Sequence, residues 1–427
     1  MISDTPYENT QTRVRTPATA RSRLAGLAGL WLALRLLTGA AAAVFAMLLP
    51  LDPTRAVGWP PAWPPGAWLH RLLVEPWVRW DATYYVSIVQ HGYRADDGTA
   101  QFHPLLAWMA TPVGWLVGSP ALALLLVASA ASLALLVAFE RLAQLDLDAR
   151  DARGATLLLL FWPPAFILFA PYTEGLFLLC AVGCLFWARR RRWWLAGLAG
   201  ALATLTRQQG VFLLLPLAWE LWAARGQGAG VRGQGADLSP PVGVYRPSSI
   251  VHWASLALIP AGLLIWLLFR AVALGDLRAD LRDPQALVFS LLISPSSAKV
   301  VPVQAFLLPP HALWLALATF ARAPEVALAL DLALGGWFLA MTALAWPRLR
   351  GSYRIYTAAI VLVSFSYHTG PFYPYMGLPR HLLLAVPVFI GMAPLVRAPR
   401  ARLFVVALGL AGALFLLLMY EIHGWVP

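Results

Sequence analysis

The sequence predicts an all-helical protein that crosses a membrane many times. Three observations carry that prediction. Apolar residues make up 60% of the 427 residues and charged residues only 12%. Mean hydropathy is +0.67, far above that of a soluble domain. Apolar runs long enough to cross roughly 30 Å of hydrocarbon recur along the whole chain. A single soluble core of this size could not bury so much apolar surface.

The elements follow in order. A polar, basic tail (1–23) reads as a disordered cytoplasmic segment. The first apolar run, Leu24–Leu49, is too long for the core of a signal peptide, so it reads as a retained span. Further apolar runs cover 121–140, 155–172, 175–189, 194–207, 209–224, 252–274, 325–346, 355–370, 380–396 and 403–422. Together they give about 11 spans in one transmembrane domain, 24–423. The runs 194–207 and 209–224 are short, and Gln208-Gln209-Gly210 between them marks a break or a re-entrant pair.

Charge placement sets the orientation. The net charge of +12 is almost wholly arginine, since Lys299 is the only lysine. A basic chain invites a nucleic-acid reading. Here, however, the arginines lie in short clusters between apolar runs: Arg13/Arg15/Arg21/Arg23, Arg141/Arg150/Arg153, Arg189–Arg192, Arg225/Arg232/Arg246, Arg348/Arg350/Arg354 and Arg397/Arg400/Arg402. That is the positive-inside pattern of a cell-membrane protein, and no nucleic-acid partner is expected. It places the N-terminus inside, the C-terminus outside and the loop 225–250, rich in Gly, Pro and Arg, in the cytoplasm as a flexible connection.

Two long connections then face outward. The first, 50–120, holds the Trp- and Pro-rich run Trp59–Pro65, and ends in a semi-apolar stretch from Phe102 to Val117. Within it Leu69, Leu72, Leu73, Pro76, Trp77 and Trp80 share one helical face, and His70, Arg71, Glu75 and Arg79 the other. That spacing predicts an interfacial helix ending at Asp81. The second, 275–324, holds Asp276, Asp280 and Asp283, then Pro302 and Pro309-Pro310, and closes in an apolar segment, His311–Phe320.

With acids so scarce, each one near the membrane needs a reason. Asp81 sits among aromatics in Arg79–Tyr85 on the outer side. Two readings fit: general-base or head-group chemistry, and a cap on the free N–H groups of a helix. Asp331 lies inside an apolar span, where pairing with an arginine such as Arg35 is expected. Cys180 and Cys184 fall on one helical face and read as packing. No metal-ligand spacing and no Gly-rich phosphate loop occurs, so no metal or other cofactor is expected. The predicted topology gathers Asp81, His103, Glu174, Arg207, Arg380 and His381 at one membrane face. That set suits transfer from a lipid-linked phosphate donor: arginine for the phosphate, a carboxylate for the acceptor hydroxyl, and aromatic faces for a sugar.

Four blocks carry a resemblance. Trp80–Ile88, with His91-Gly92-Tyr93 and Phe102-His103-Pro104-Leu105, resembles the first outer loop of PIG-V-type mannosyltransferases and their bacterial relatives. Ala170–Glu174, then Ala203–Arg207 with Gly210 and Leu213–Pro216, then Pro379-Arg380-His381 with Pro387, resemble that family's later blocks in the same order. The resemblance implies a GT-C glycosyltransferase fold and inverting transfer of mannose from a polyprenyl-phosphate donor at the outer face. It makes Asp81 the base and assigns the donor phosphate to Arg207, Arg380 and His381. Sugar and acceptor contacts fall to Trp80, Tyr84, Tyr85, His103, Tyr172 and Glu174, and the acceptor is a lipid, glycan or protein hydroxyl. The chain departs from the family pattern at His103, Gln208-Gln209 and His381, all in the implied sugar pocket. Glucose or arabinose on the same carrier is the alternative within the fold. A lipid or solute transporter, with Asp331 as its gating acid, is the alternative outside it.

Overall fold

The computed structural model describes residues 17–49, 68–229, 250–275 and 304–425, and these are almost wholly helical. The tail up to residue 16, the Trp59–Pro65 run, most of the 225–250 loop, and Asp276, Asp280, Asp283 and Pro302 lie outside the described residues. Among the described residues, 5 helices are long and apolar enough to cross a membrane: Ser22–Leu48, Pro120–Ala143, His252–Leu274, Val326–Arg348 and Pro399–Glu421. Each falls on a predicted span. The protein is an all-helical membrane protein.

The expected number of spans, about 11, is not reached by helices of full length. Helices stand at the other predicted positions but are shorter or broken: Glu174–Arg189, Trp193–Thr206, Leu214–Ala229 and Gly351–Ser366, with Leu378–Leu383 and Pro387–Met392 in place of one span at 380–396. Ala149–Leu160 and Pro163–Phe169 together cover the span at 155–172 but meet at 84°. Proline explains the last two cases. Pro163-Pro164, Pro379 and Pro387 lack the N–H that a continuing helix needs.

Close packing needs small residues where helices meet, since lipid offers no hydrophobic drive between them. Trp193–Thr206 packs against both Glu174–Arg189 and Leu258–Phe269. It ends where the sequence marked a break. The chain turns into a 3-10 segment, Gln208–Leu213, before Leu214–Ala229 begins. Gly210 makes that turn possible, because a Cβ there would collide with the backbone of Ala203 and Thr204. Cys180 and Cys184 are buried free thiols that serve as packing.

Two further expectations need correction. The interfacial helix is not continuous: Trp68–Leu73 gives way to a 3-10 turn at Glu75–Trp77, and a new helix starts at Asp81. Pro76 breaks the ladder, and Arg79, expected on the wet face, is 3% exposed and paired with Glu421. Asp331 does not meet Arg35 either. It accepts a hydrogen bond from Trp425 Nε1 at 3.1 Å, while the Arg35 guanidinium stacks 4.7 Å above the Trp77 ring. A neutral donor and an aromatic face thus satisfy the two groups separately.

Candidate active site

The blocks that are far apart in sequence converge on one cavity of about 800 Å³. Asp81 is the first residue of the helix Asp81–His91, preceded by Trp80 at φ 51°. Its carboxylate accepts from Arg380 Nη1 at 2.6 Å, and the Asp81 side chain is 33% exposed toward the cavity. An acidic residue in a first turn still complements the helix N-terminus. The bond that holds this one, however, goes to an arginine 299 residues away.

Arg380 sits on the short helix Leu378–Leu383, which Gly377 introduces in the left-handed region at φ 73°. Its guanidinium lies 5.3 Å above the Tyr172 ring, and its Nε is 3.4 Å from Glu174 Oε1. Glu174 opens the helix Glu174–Arg189 and is fully buried. It is ion-paired with Arg207, whose Nη1 also donates to Thr173 Oγ1 at 3.0 Å. Arg207 has left its helix for extended backbone (φ −155°, ψ 144°), which turns the side chain toward this cluster. The result is an alternating row: Asp81, Arg380, Glu174, Arg207. Two carboxylates and two guanidinium groups cancel in charge, so neither arginine is buried uncompensated.

Trp80, Tyr84, Tyr85, His103 and His381 line the same cavity beside Asp81, Arg207 and Arg380. Tyr84 stacks on Phe102 with centroids 4.9 Å apart. The neutral His103 ring lies 2.7 Å, Nδ1 to oxygen, from the Thr204 carbonyl, so the proton sits on Nδ1 and Nε2 is left as an acceptor. Burial pulls the His103 pKa down to about 3, with nearby Arg270 and Arg207 pushing the same way.

Tyr172 and Glu174 are placed differently from the sugar contacts expected of them. Neither lines the cavity. Tyr172 is buried behind Arg380, its hydroxyl donating to the Arg79 carbonyl at 3.1 Å, and Glu174 holds the arginines from below. Other wall residues escaped sequence reasoning: Tyr367, Thr369 and Tyr373 after the helix Gly351–Ser366, and His423 and Trp425 beyond the last span. The signal for the second pair was an aromatic and a histidine just past the end of that span. Among the described residues, no group of three or more His, Cys, Asp or Glu side chains converges as a metal site would.

The family described as Mannosyltransferase (PIG-V) matches residues 47–219, which include Asp81, His103, Glu174 and Arg207. Residues 47–219 are thus similar to that family. That match takes in three of the four resembling blocks and ends before Pro379-Arg380-His381. Solved structures with a similar course include ArnT from Cupriavidus metallidurans bound to undecaprenyl phosphate, at 16% identity and TM-score 0.49, over 90% of this chain and 64% of that one. The Archaeoglobus fulgidus oligosaccharyltransferase tethered to an acceptor peptide is similar at 13% identity and TM-score 0.38, over 92% of this chain and 56% of that one. This chain spans less than two thirds of either protein's length. No curated protein gives a significant match to it.

Proposed function

We propose that this cavity transfers a sugar, mannose in the first instance, from a polyprenyl-phosphate donor to an acceptor hydroxyl at the extracytoplasmic face, with inversion at C1. The observation that carries the proposal is the placing of Asp81. It is a partly exposed carboxylate on a cavity wall, next to two arginines that an anionic donor can share. The family description supports mannose, and the apolar helices around the cavity suit a lipid carrier.

In the proposed reaction the donor phosphate settles on Arg380 and Arg207, with His381 beside them. Arg380 then exchanges one of its N–H contacts from Asp81 to phosphate, and Asp81 turns to the acceptor. The acceptor O–H proton passes to the Asp81 carboxylate as the acceptor oxygen bonds to C1. The C1–O bond to phosphate breaks, and polyprenyl phosphate leaves with that electron pair. The arginines stabilise the charge that develops on the leaving oxygen. Glu174 is an unsuitable base, because it is fully buried and held by cations. Trp80, Tyr84 and Tyr85 offer faces for the sugar, and the His103 Nε2 offers an acceptor for one of its hydroxyls.

The test is Asp81→Asn, assayed with purified polyprenyl-phosphate mannose. The amide keeps the size and can still accept from Arg380, but it cannot take the acceptor proton. Donor binding should persist while transfer falls by roughly 10²–10⁴-fold, the usual worth of general-base help. Transfer near the wild-type rate would remove Asp81 from this role.

A further inference from the structure

The C-terminal helix carries a buried ion pair that the proposed chemistry does not use. Glu421, the last residue of Pro399–Glu421, accepts from Arg79 Nη2 at 3.2 Å, with side chains only 2% and 4% exposed. Arg79 stands two residues before Asp81. Its Nη1 donates to the carbonyls of Glu75 at 2.6 Å and Val78 at 3.1 Å, so one guanidinium stitches its own turn. Two tyrosine hydroxyls grip the same turn from neighbouring elements. Tyr420 donates to the Trp77 carbonyl at 2.9 Å and Tyr172 to the Arg79 carbonyl at 3.1 Å.

What these anchors hold is a strained link. Trp80, between Arg79 and Asp81, has φ 51° and ψ −122°, a region that residues with a Cβ rarely adopt. Such a residue persists only where its surroundings over-determine it. Here they do: Glu421 and Tyr420 below, Tyr172 alongside, and the His423 ring 5.2 Å from the Trp80 ring. The turn sets where the helix Asp81–His91 begins and therefore where the Asp81 carboxylate emerges.

We propose that Glu421 and Arg79 are positioning residues for Asp81, and that the end of the last helix fixes the base in its working geometry. This rests on Asp81 acting as the base. Glu421 touches no substrate in this scheme and acts only through Arg79 and the Trp80 turn.

The experiment uses the full chain in detergent or lipid nanodiscs, with kcat and KM measured for polyprenyl-phosphate mannose and donor binding measured directly. Glu421→Ala should lower kcat by roughly tenfold to a hundredfold, the scale of a small displacement of a reacting group. Donor affinity should stay within about twofold, since both phosphate-binding arginines are untouched. Glu421→Gln, which keeps an acceptor for Arg79, should recover much of the loss. Should Glu421→Ala reduce the folded yield, Arg79→Lys serves instead, because an ammonium cannot reach Glu75, Val78 and Glu421 together. Adding Glu421→Ala to Asp81→Asn should cost little beyond Asp81→Asn alone, as expected of residues that act as a unit.

A purely structural pair gives a different pattern: kcat per folded molecule unchanged, or kcat and donor affinity falling together, or full additivity with Asp81→Asn. Any of these overturns the proposal. Asp81→Asn inactive beside a normal Glu421→Ala sinks the positioning role alone. An active Asp81→Asn sinks the catalytic reading, and the positioning role with it.

Discussion

Arg380 is the residue on which the proposed site turns, and replacing it separates two opposed effects. Its guanidinium bonds Asp81 at 2.6 Å, lies 3.4 Å from Glu174 and covers the Tyr172 ring. In the proposed reaction Arg380→Ala deletes a charge-assisted contact to the donor phosphate, worth about 1.5–3 kcal/mol. That is roughly tenfold to more than a hundredfold in kcat/KM for donor. It also frees Asp81 from its partner, which by itself would favour proton abstraction. If phosphate binding dominates, transfer falls; if release of the base dominates, transfer rises. Folding should survive, because Glu174 keeps Arg207. The cost should therefore stay below the ~3–5 kcal/mol of breaking a buried pair outright. Arg380→Lys keeps one charge but not the fork that spans both carboxylates, and should fall between. Donor titrations of purified variants, with thermal midpoints in parallel, measure all three. Unchanged donor kcat/KM in Arg380→Ala, or a gain, would refute the placing of phosphate on this arginine.

Two other outcomes are expected. Burial holds the His103 pKa at about 3 against an ordinary 6.5. The unfolded chain therefore binds the extra proton first, and stability is present above pH 6.5 and lost as pH falls toward 3. The loss is about 2 kcal/mol by pH 5. Thermal midpoints between pH 7.5 and 5 should fall more for wild type than for His103→Gln. Equal falls would show that the ring does not titrate this way. At Asp331, Asn keeps an acceptor for Trp425 and removes only the ability to ionise, so Asp331→Asn should fold and transfer normally. Asp331→Ala leaves that N–H unsatisfied and should cost about 1–3 kcal/mol in stability. A strong loss of activity in Asp331→Asn would make its ionisable carboxyl functional.

Much of the fold was legible because a membrane constrains it so strongly. Apolar runs placed helices at the right positions. The Gln208–Gly210 break was visible because polar residues and a glycine interrupt an apolar run. Lengths were less legible. Nothing in hydropathy separates a full span from two helices bent at Pro163-Pro164. Candidate residues were readable where rare charges meet recognisable blocks, hence Asp81, Arg207 and Arg380. Their roles were harder to read, because side-chain direction depends on packing. Glu174 and Tyr172 sit in a fitting block yet face inward. Arg79 shares a helical face with charged neighbours only if the helix continues, and Pro76 ends it. The pairing of Glu421 gave no signal at all, since its partner lies 342 residues away.

The alternating row of Asp81, Arg380, Glu174 and Arg207 also bears on why the proposed site would pair its base with a cation. Arginines aimed at an absent phosphate would be two buried charges without partners, and the cost of desolvating them would fall on the fold. Glu174 meets part of that cost permanently, since it is fully buried and cannot leave. Asp81 meets the rest reversibly, since its side chain is one-third exposed and can turn into the cavity. In the proposed reaction a donor phosphate replaces Asp81 on Arg380 with little net change in local charge pairing. The same exchange that seats the donor also releases the base. In the proposed reaction the carboxylate is therefore free to take a proton only when there is a sugar to transfer, and an acceptor hydroxyl that arrives first finds the base already occupied.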